Sequence, residues 1–212
     1  MYTFNMPPNT KIDFSDAHKD RSKRTLEDLL EAAYKIVDDA NPNDFNGRHL
    51  SHESGYALGT LNKRLGPIEN VFLWAIEKGR DVKIENMINS IIQFDPHSSI
   101  QDFAELITEI SFAGIGKTTS KVIRYYESKM LRRDGHTYDS INFIDTYIDP
   151  YLKMVRANQT NTFRNISEDE TRLLLRSMRQ LIERPFVNDD PIAGTEAHRR
   201  IVTESFVRLF GN

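Results

Sequence analysis

Thr60, Asn62, Lys63 and Arg64 crowd into the short stretch "LGTLNKRL", Leu58 to Leu65. Leu61 and Leu65 stand four apart, the spacing of neighbours on one helix face. A short helix that turns this pair inward leaves a hydroxyl, an amide and two cations on its outer arc. Those groups suit a DNA groove: an amide pairs bidentately with adenine, and a cation pairs with guanine or with phosphate. Gly59 keeps the helix slim where a backbone could press close.

The flanking residues must hold that helix in place. Asn46 is a good N-cap for a short helix over Gly47–Glu53. Phe45 before the cap and Leu50 at the fourth position can form a hydrophobic staple. Gly55 allows the sharp turn between two helices at a steep angle, and the second helix then runs over Leu58–Leu65. This spacing belongs to a helix-turn-helix, and equally to a turn at the edge of an ordinary helical core.

Other chemistry is weaker. "SFAGIGKTT" (Ser111–Thr119) resembles a phosphate loop, but that motif needs glycine at Ser111 and a preceding strand. It reads instead as a turn between helices, capped by Thr118 or Thr119. His49, His52, His97, His136 and His198 lack a common spacing for a metal, and zinc at His49, His52 and Glu53 would collide with the groove-facing role. Spacing reveals no Ser/His/Asp set and no carboxylate pair, so no catalytic residues, metal or cofactor are expected. The sequons at Asn158 and Asn165 mean little without a secretion signal.

The chain has 212 residues, 39% hydrophobic and 28% charged, enough to bury a core and stay in solution. It has no cysteine, which excludes disulfides and thiolate metal sites and suits a reducing cytoplasm. "MYTFNMPPNTKIDF" does not read as a signal peptide, and no run is long and apolar enough for a membrane span. The net charge is -3, so DNA binding must rest on local clusters.

Apolar residues recur at three and four almost throughout, as in Leu26-Leu29-Leu30-Ala33-Ile36-Val37 and Phe103-Leu106-Ile107-Ile110. The fold class is all-α, with about nine helices. Punctuation agrees. "NPNDFNG" ends the first helix, with Asn41 suited to a left-handed cap and Pro42 blocking continuation. "DPHSS", "AGIGKTT", "RRDGHTYDS" and "RPFVNDDPIAGTEA" read as loops. Pro150 should end or kink a helix starting near Tyr138. Ser167 and Glu170 form a capping box, and Thr195 caps the last helix. The aromatics Phe103, Phe112, Tyr125, Tyr126, Tyr138, Phe143, Tyr147 and Tyr151 are mostly core.

Residues 24 to 76 resemble the DNA-binding domain of the tetracycline-repressor (TetR) family of bacterial regulators. "LLEAAYKIV" is similar to that family's first helix, with Ala33 at its small packing position. "HLSHESGYALGTLNKRLGPIENVF" is similar to the helix-turn-helix and the start of the fourth helix. Gly55 falls on the turn glycine and Gly59-Thr60-Leu61 on the most recognisable triplet, with Leu65 in place of an aromatic residue and Glu69 in place of an acidic one. The sequence departs from the family at Ala57, where Ser or Thr is usual. It departs also at Asn62, for a tyrosine, and at Ile68, for a lysine, both commonly phosphate contacts; Pro67 suits the first helical turn. The basic cluster His18-Lys19-Arg21-Lys23-Arg24 is either a replacement arm reaching the DNA or a solvated basic start.

The resemblance implies an N-terminal arm (1–20), a three-helix DNA-binding domain (21–76) and a larger helical ligand-binding and dimerisation domain (77–212). It implies a cytoplasmic homodimer on a palindromic double-stranded operator, with half-sites about one helical turn apart or a little more. Asn46, Arg48, Leu58, Gly59, Thr60, Asn62, Lys63, Arg64, Lys23 and Arg24 are the expected DNA-facing residues. A small-molecule effector would bind in the second domain and release the DNA; no residues are assigned to its pocket. The dimer contact is expected on two stripes of the last long helices: Leu174, Met178 and Leu181, and Val202, Phe206 and Leu209. Two other readings stay open: a helical binding protein that reads no operator, and a helical enzyme with a site among the middle aromatics.

Overall fold

The computed structural model describes residues 20–39, 41–65, 67–115, 117–134 and 139–212. Among them are nine α-helices: α1 Asp20–Asp39, α2 Gly47–Ser54, α3 Leu58–Leu65, α4 Ile68–Ile92, α5 Ile100–Gly114, α6 Lys117–Asp134, α7 Ile148–Ala157, α8 Glu168–Val187 and α9 Glu196–Phe210. The all-helical class is as expected; among the described residues, extended backbone pairs at one antiparallel bridge, between Phe163 and Gly211. Two compact units divide after Asp81.

In the first unit, α1 buries Leu26, Leu29, Leu30, Ala33, Ile36 and Val37, the stripe that helical periodicity selects. Leu50, Leu61, Leu65, Val71, Phe72 and Leu73 complete this core. Phe45 stacks on Phe72 with ring centroids 4.9 Å apart. Farther along α4, the Lys78 ammonium lies over the rings of Tyr34 and Trp74 at 5.5 and 5.3 Å. Asn41 is not left-handed. Its φ of -76° and ψ of 138° are extended, as the following proline demands, and its side chain caps a 3-10 turn over Pro42–Asp44.

The second unit is organised around an aromatic cluster. Phe103 of α5 meets Phe94, Tyr151, Phe163 and Phe206, while Phe210 stacks on Phe206 at 4.4 Å. Fully burying one such ring contributes up to about 3 kcal/mol. Ser99 caps α5 in a reciprocal box with Asp102, which starts the helix directly after "DPHSS". The chain end is tied down: Asn212 N–H donates to the Thr162 carbonyl at 2.9 Å, and Arg164 N–H donates to the Phe210 carbonyl at 2.8 Å.

Four further local expectations are corrected. Pro150 neither ends nor kinks a helix. A 3-10 segment covers Asp139–Tyr147 and α7 begins at Ile148, so Pro150 sits in a first turn, where no intrahelical bond needs its missing N–H. "RRDGHTYDS" is helical at Arg132–Asp134 and 3-10 from Asp139; its central residues, with Tyr138 and His136, lie outside the described ones. Ser167 accepts from Glu170 N–H, but the Glu170 carboxylate turns to Arg164 at 2.8 Å, so the box is half closed. Helix α8 runs on through Pro185 to Val187, and the loop begins only at Asn188.

Candidate nucleic-acid interface

Helix α2 starts where Asn46 Oδ1 accepts from the N–H groups of Arg48 and His49, at 3.1 and 3.0 Å. It stops at Gly55, whose φ of 72° lies in the left-handed region that glycine adopts at little cost. Three short bonds set the turn. Ser54 Oγ donates to the Leu50 carbonyl and Ser51 Oγ to the Tyr56 carbonyl, both at 2.6 Å. Tyr56 Oη donates to Asp28 Oδ2 of α1 at 2.7 Å. Sequence reasoning missed this last tether, because nothing in the spacing links residues so far apart in the chain.

Helix α3 then spans Leu58–Leu65. Leu61 and Leu65 are buried, Asn62 and Lys63 are exposed, and Thr60 is half-buried. Ala57 offers no side-chain cap; its carbonyl accepts from Thr60 and Leu61 N–H at 2.8 and 3.3 Å. A Cβ at Gly59 would meet nothing within 4 Å. Packing within the chain therefore does not require glycine there, although glycine costs a helix about 1 kcal/mol against alanine.

Asn46, Gly47, Arg48, Leu58, Asn62 and Ile68 line an open groove of about 510 Å³. The Leu58 side chain lies close over Gly47, where a Cβ would stand 2.8 Å from Leu58 Cδ1. Arg48 is exposed, and neither it nor Lys63 has a carboxylate partner among the described residues. From Asn46 to Leu65 the chain holds three cations, Arg48, Lys63 and Arg64, against the single carboxylate of Glu53. The segment is thus locally positive in a chain of net charge -3. The structure brings Asn46, Arg48, Leu58 and Asn62 together in one groove, with Gly59, Thr60 and Lys63 on the adjoining helix. Arg24 is exposed on α1. Lys23 and Arg64 fall in α1 and α3, but their side chains lie outside the described ones, as do His18 and Lys19 altogether.

In the second unit Met178, Val202 and Phe206 are buried in the core, and Leu174, Leu181 and Leu209 pack half-buried against it. The large apolar side chains that α8 and α9 leave exposed are Leu173 and Ile201, at 66% and 38%. His198 is buried between Phe112 and Phe186. Its Nδ1 accepts from Gly194 N–H at 3.2 Å, so Nε2 carries the proton that reaches the Leu181 carbonyl at 2.9 Å. Burial pushes the titration of the Tyr151 hydroxyl up, Arg164 opposing weakly. Helix α6 begins at Lys117, so Thr118 and Thr119 lie inside it and neither stands at the expected N-cap; their side chains and Gly116 lie outside the described ones. No cluster of His, Asp or Glu among the described residues could hold a metal ion, and no helix among them is long and apolar enough to cross a membrane.

No protein-family model and no curated protein matches the sequence. The structure is similar to a 1.54 Å crystal structure of a candidate TetR-family transcriptional regulator from Mesorhizobium loti MAFF303099. The TM-score is 0.62 at 12% identity, over 92% of this chain and 100% of that one. The chain therefore has the all-helical fold of that TetR-family structure.

Proposed function

We propose that the protein is a non-enzymatic, cytoplasmic transcriptional regulator that binds a palindromic operator as a homodimer, through α2 and α3 of each subunit. The first unit would read DNA; the second would hold the dimer contact and a small-molecule effector whose binding releases the operator, a coupling of about 1–3 kcal/mol. One observation carries the reading. Helix α3 is anchored by buried Leu61 and Leu65, yet presents Asn62 and Lys63 to solvent beside a glycine that meets nothing in the chain. A slim, polar, cationic helix held rigidly from behind fits a major groove. The likeness of fold to a regulator supports it. Repression is the expected sign of regulation.

The competing account is a binding protein of the same fold that reads no operator. Ile68 favours it, since it places an aliphatic side chain in the groove where the family resemblance implies a phosphate-contacting lysine.

The test measures affinity for duplex DNA from around the protein's own gene, and for random duplex, at several salt concentrations. Asn62→Ala is expected to narrow the gap between the two DNAs by ~1–3 kcal/mol and leave the salt dependence nearly unchanged. Lys63→Ala is expected to weaken both about equally and lower the magnitude of the log K against log salt slope by ~0.9 per lost contact on each subunit. Unchanged affinity in both variants overturns operator binding through α3.

A further inference from the structure

We propose that Leu58 reads a thymine, covering the 5-methyl group of one thymine in each operator half-site. The inference rests on the operator reading above and specifies the base that the groove selects. Leu58 opens α3 and is 43% exposed, although Leu61 and Leu65 behind it are buried. Its side chain lies against the start of α2, where a Cβ added at Gly47 would stand 2.8 Å from Leu58 Cδ1. Ile68, at the first residue of α4, extends the same apolar lining.

An aliphatic patch by itself fits many partners. This one shares its groove with Arg48, a cation with no carboxylate partner among the described residues, and adjoins Lys63. That surround fits a polyanion. Of the groups a DNA duplex displays in its major groove, the thymine 5-methyl is the aliphatic one. Asn62 lines the groove too and stands one helical turn after Leu58, so the two side chains are neighbours. An amide suited to adenine beside an aliphatic group suited to thymine points to A·T pairs at this place in the half-site.

The experiment starts from the full chain and a random duplex library, from which bound sequences are enriched. In the preferred duplex each thymine is then replaced singly by deoxyuridine, which removes the methyl and keeps the hydrogen-bonding edge. Affinity is read by fluorescence anisotropy. Replacing the covered thymine in one half-site is expected to weaken binding about fourfold, and in both half-sites about fifteenfold. Leu58→Ala, whose fold is checked by thermal melting, is expected to bind the thymine and deoxyuridine duplexes equally and keep its other base preferences. Leu58→Met, which retains an aliphatic end, is expected to keep the discrimination. If the unaltered chain enriches a sequence but ignores every methyl, or Leu58→Ala still discriminates, the inference falls and the operator reading stands. If no sequence is enriched, both fall.

Discussion

At the scale of the residue, His198 shows how a buried polar side chain can serve the backbone. Pro185 lies inside α8 and has no N–H to offer the carbonyl four residues earlier, that of Leu181. His198 Nε2 donates to this carbonyl at 2.9 Å, while Gly194 N–H satisfies Nδ1 at 3.2 Å. The imidazole thus resolves a defect that the proline creates, and the histidine is structural. Replacing it removes the side-chain partner of the Leu181 carbonyl and of the Gly194 N–H and leaves a cavity where the buried ring stood. His198→Ala is expected to destabilise the fold by roughly 3 kcal/mol, read by urea unfolding. In a Pro185→Ala background the new N–H can reach Leu181, and the penalty should shrink by about 1 kcal/mol. Strict additivity of the two substitutions would refute the link.

At the scale of the element, helix starts are set by short polar contacts whose charge state matters. Asp102 Oδ2 accepts from the Ser99 hydroxyl at 2.6 Å and from Ser99 N–H at 2.7 Å. These bonds hold the carboxyl below its ordinary titration range. A carboxylate depressed in the folded state adds stability above its unfolded pKa, about 3.9, and loses it as pH falls through the folded value. The melting-temperature gap between the unaltered chain and Asp102→Asn should therefore be constant near neutrality and close as pH drops below about 4. A gap undiminished at pH 2 would show that the cap acts without its charge. At Ser167 the equivalent acid, Glu170, is committed to Arg164, so that helix start relies on the serine and on the dipole-matched acids Glu168 and Asp169.

At the scale of the whole molecule, the proposed dimer needs a surface that the subunit's own core has not used. Phe206 stacks on Phe210 deep in the second unit, and a carboxylate there buries an unpaired charge, which a core does not tolerate. Phe206→Asp is expected to unfold that unit, so it cannot report on assembly. Leu173 and Ile201 are exposed on α8 and α9, the helices proposed to meet across the dimer. Leu173→Asp combined with Ile201→Asp should give a folded monomer by sedimentation and circular dichroism. Such a monomer should bind a palindrome no better than a half-site. A variant that remains dimeric would place the contact elsewhere.

Local chemistry decided much of this protein before any tertiary contact. The bounds of α3, the cap at Asn46, the left-handed glycine at Gly55 and the inward pair Leu61 and Leu65 all follow from neighbours within a few residues, where spacing and backbone preference act directly. The same holds for the α1 stripe. Periodicity also marked Leu174, Met178 and Leu181, and Val202, Phe206 and Leu209, as apolar faces. It could not say what covers them, because a core and a partner helix make the same demand on an apolar stripe. Only the packed structure separated buried Met178, Val202 and Phe206 from exposed Leu173 and Ile201. Pro185 read as a loop for a similar reason: the donor that replaces its N–H comes from His198, beyond a turn and on another helix. Nor could spacing reveal the groove between Gly47, Leu58 and Ile68, since it exists only where the starts of three helices converge in space.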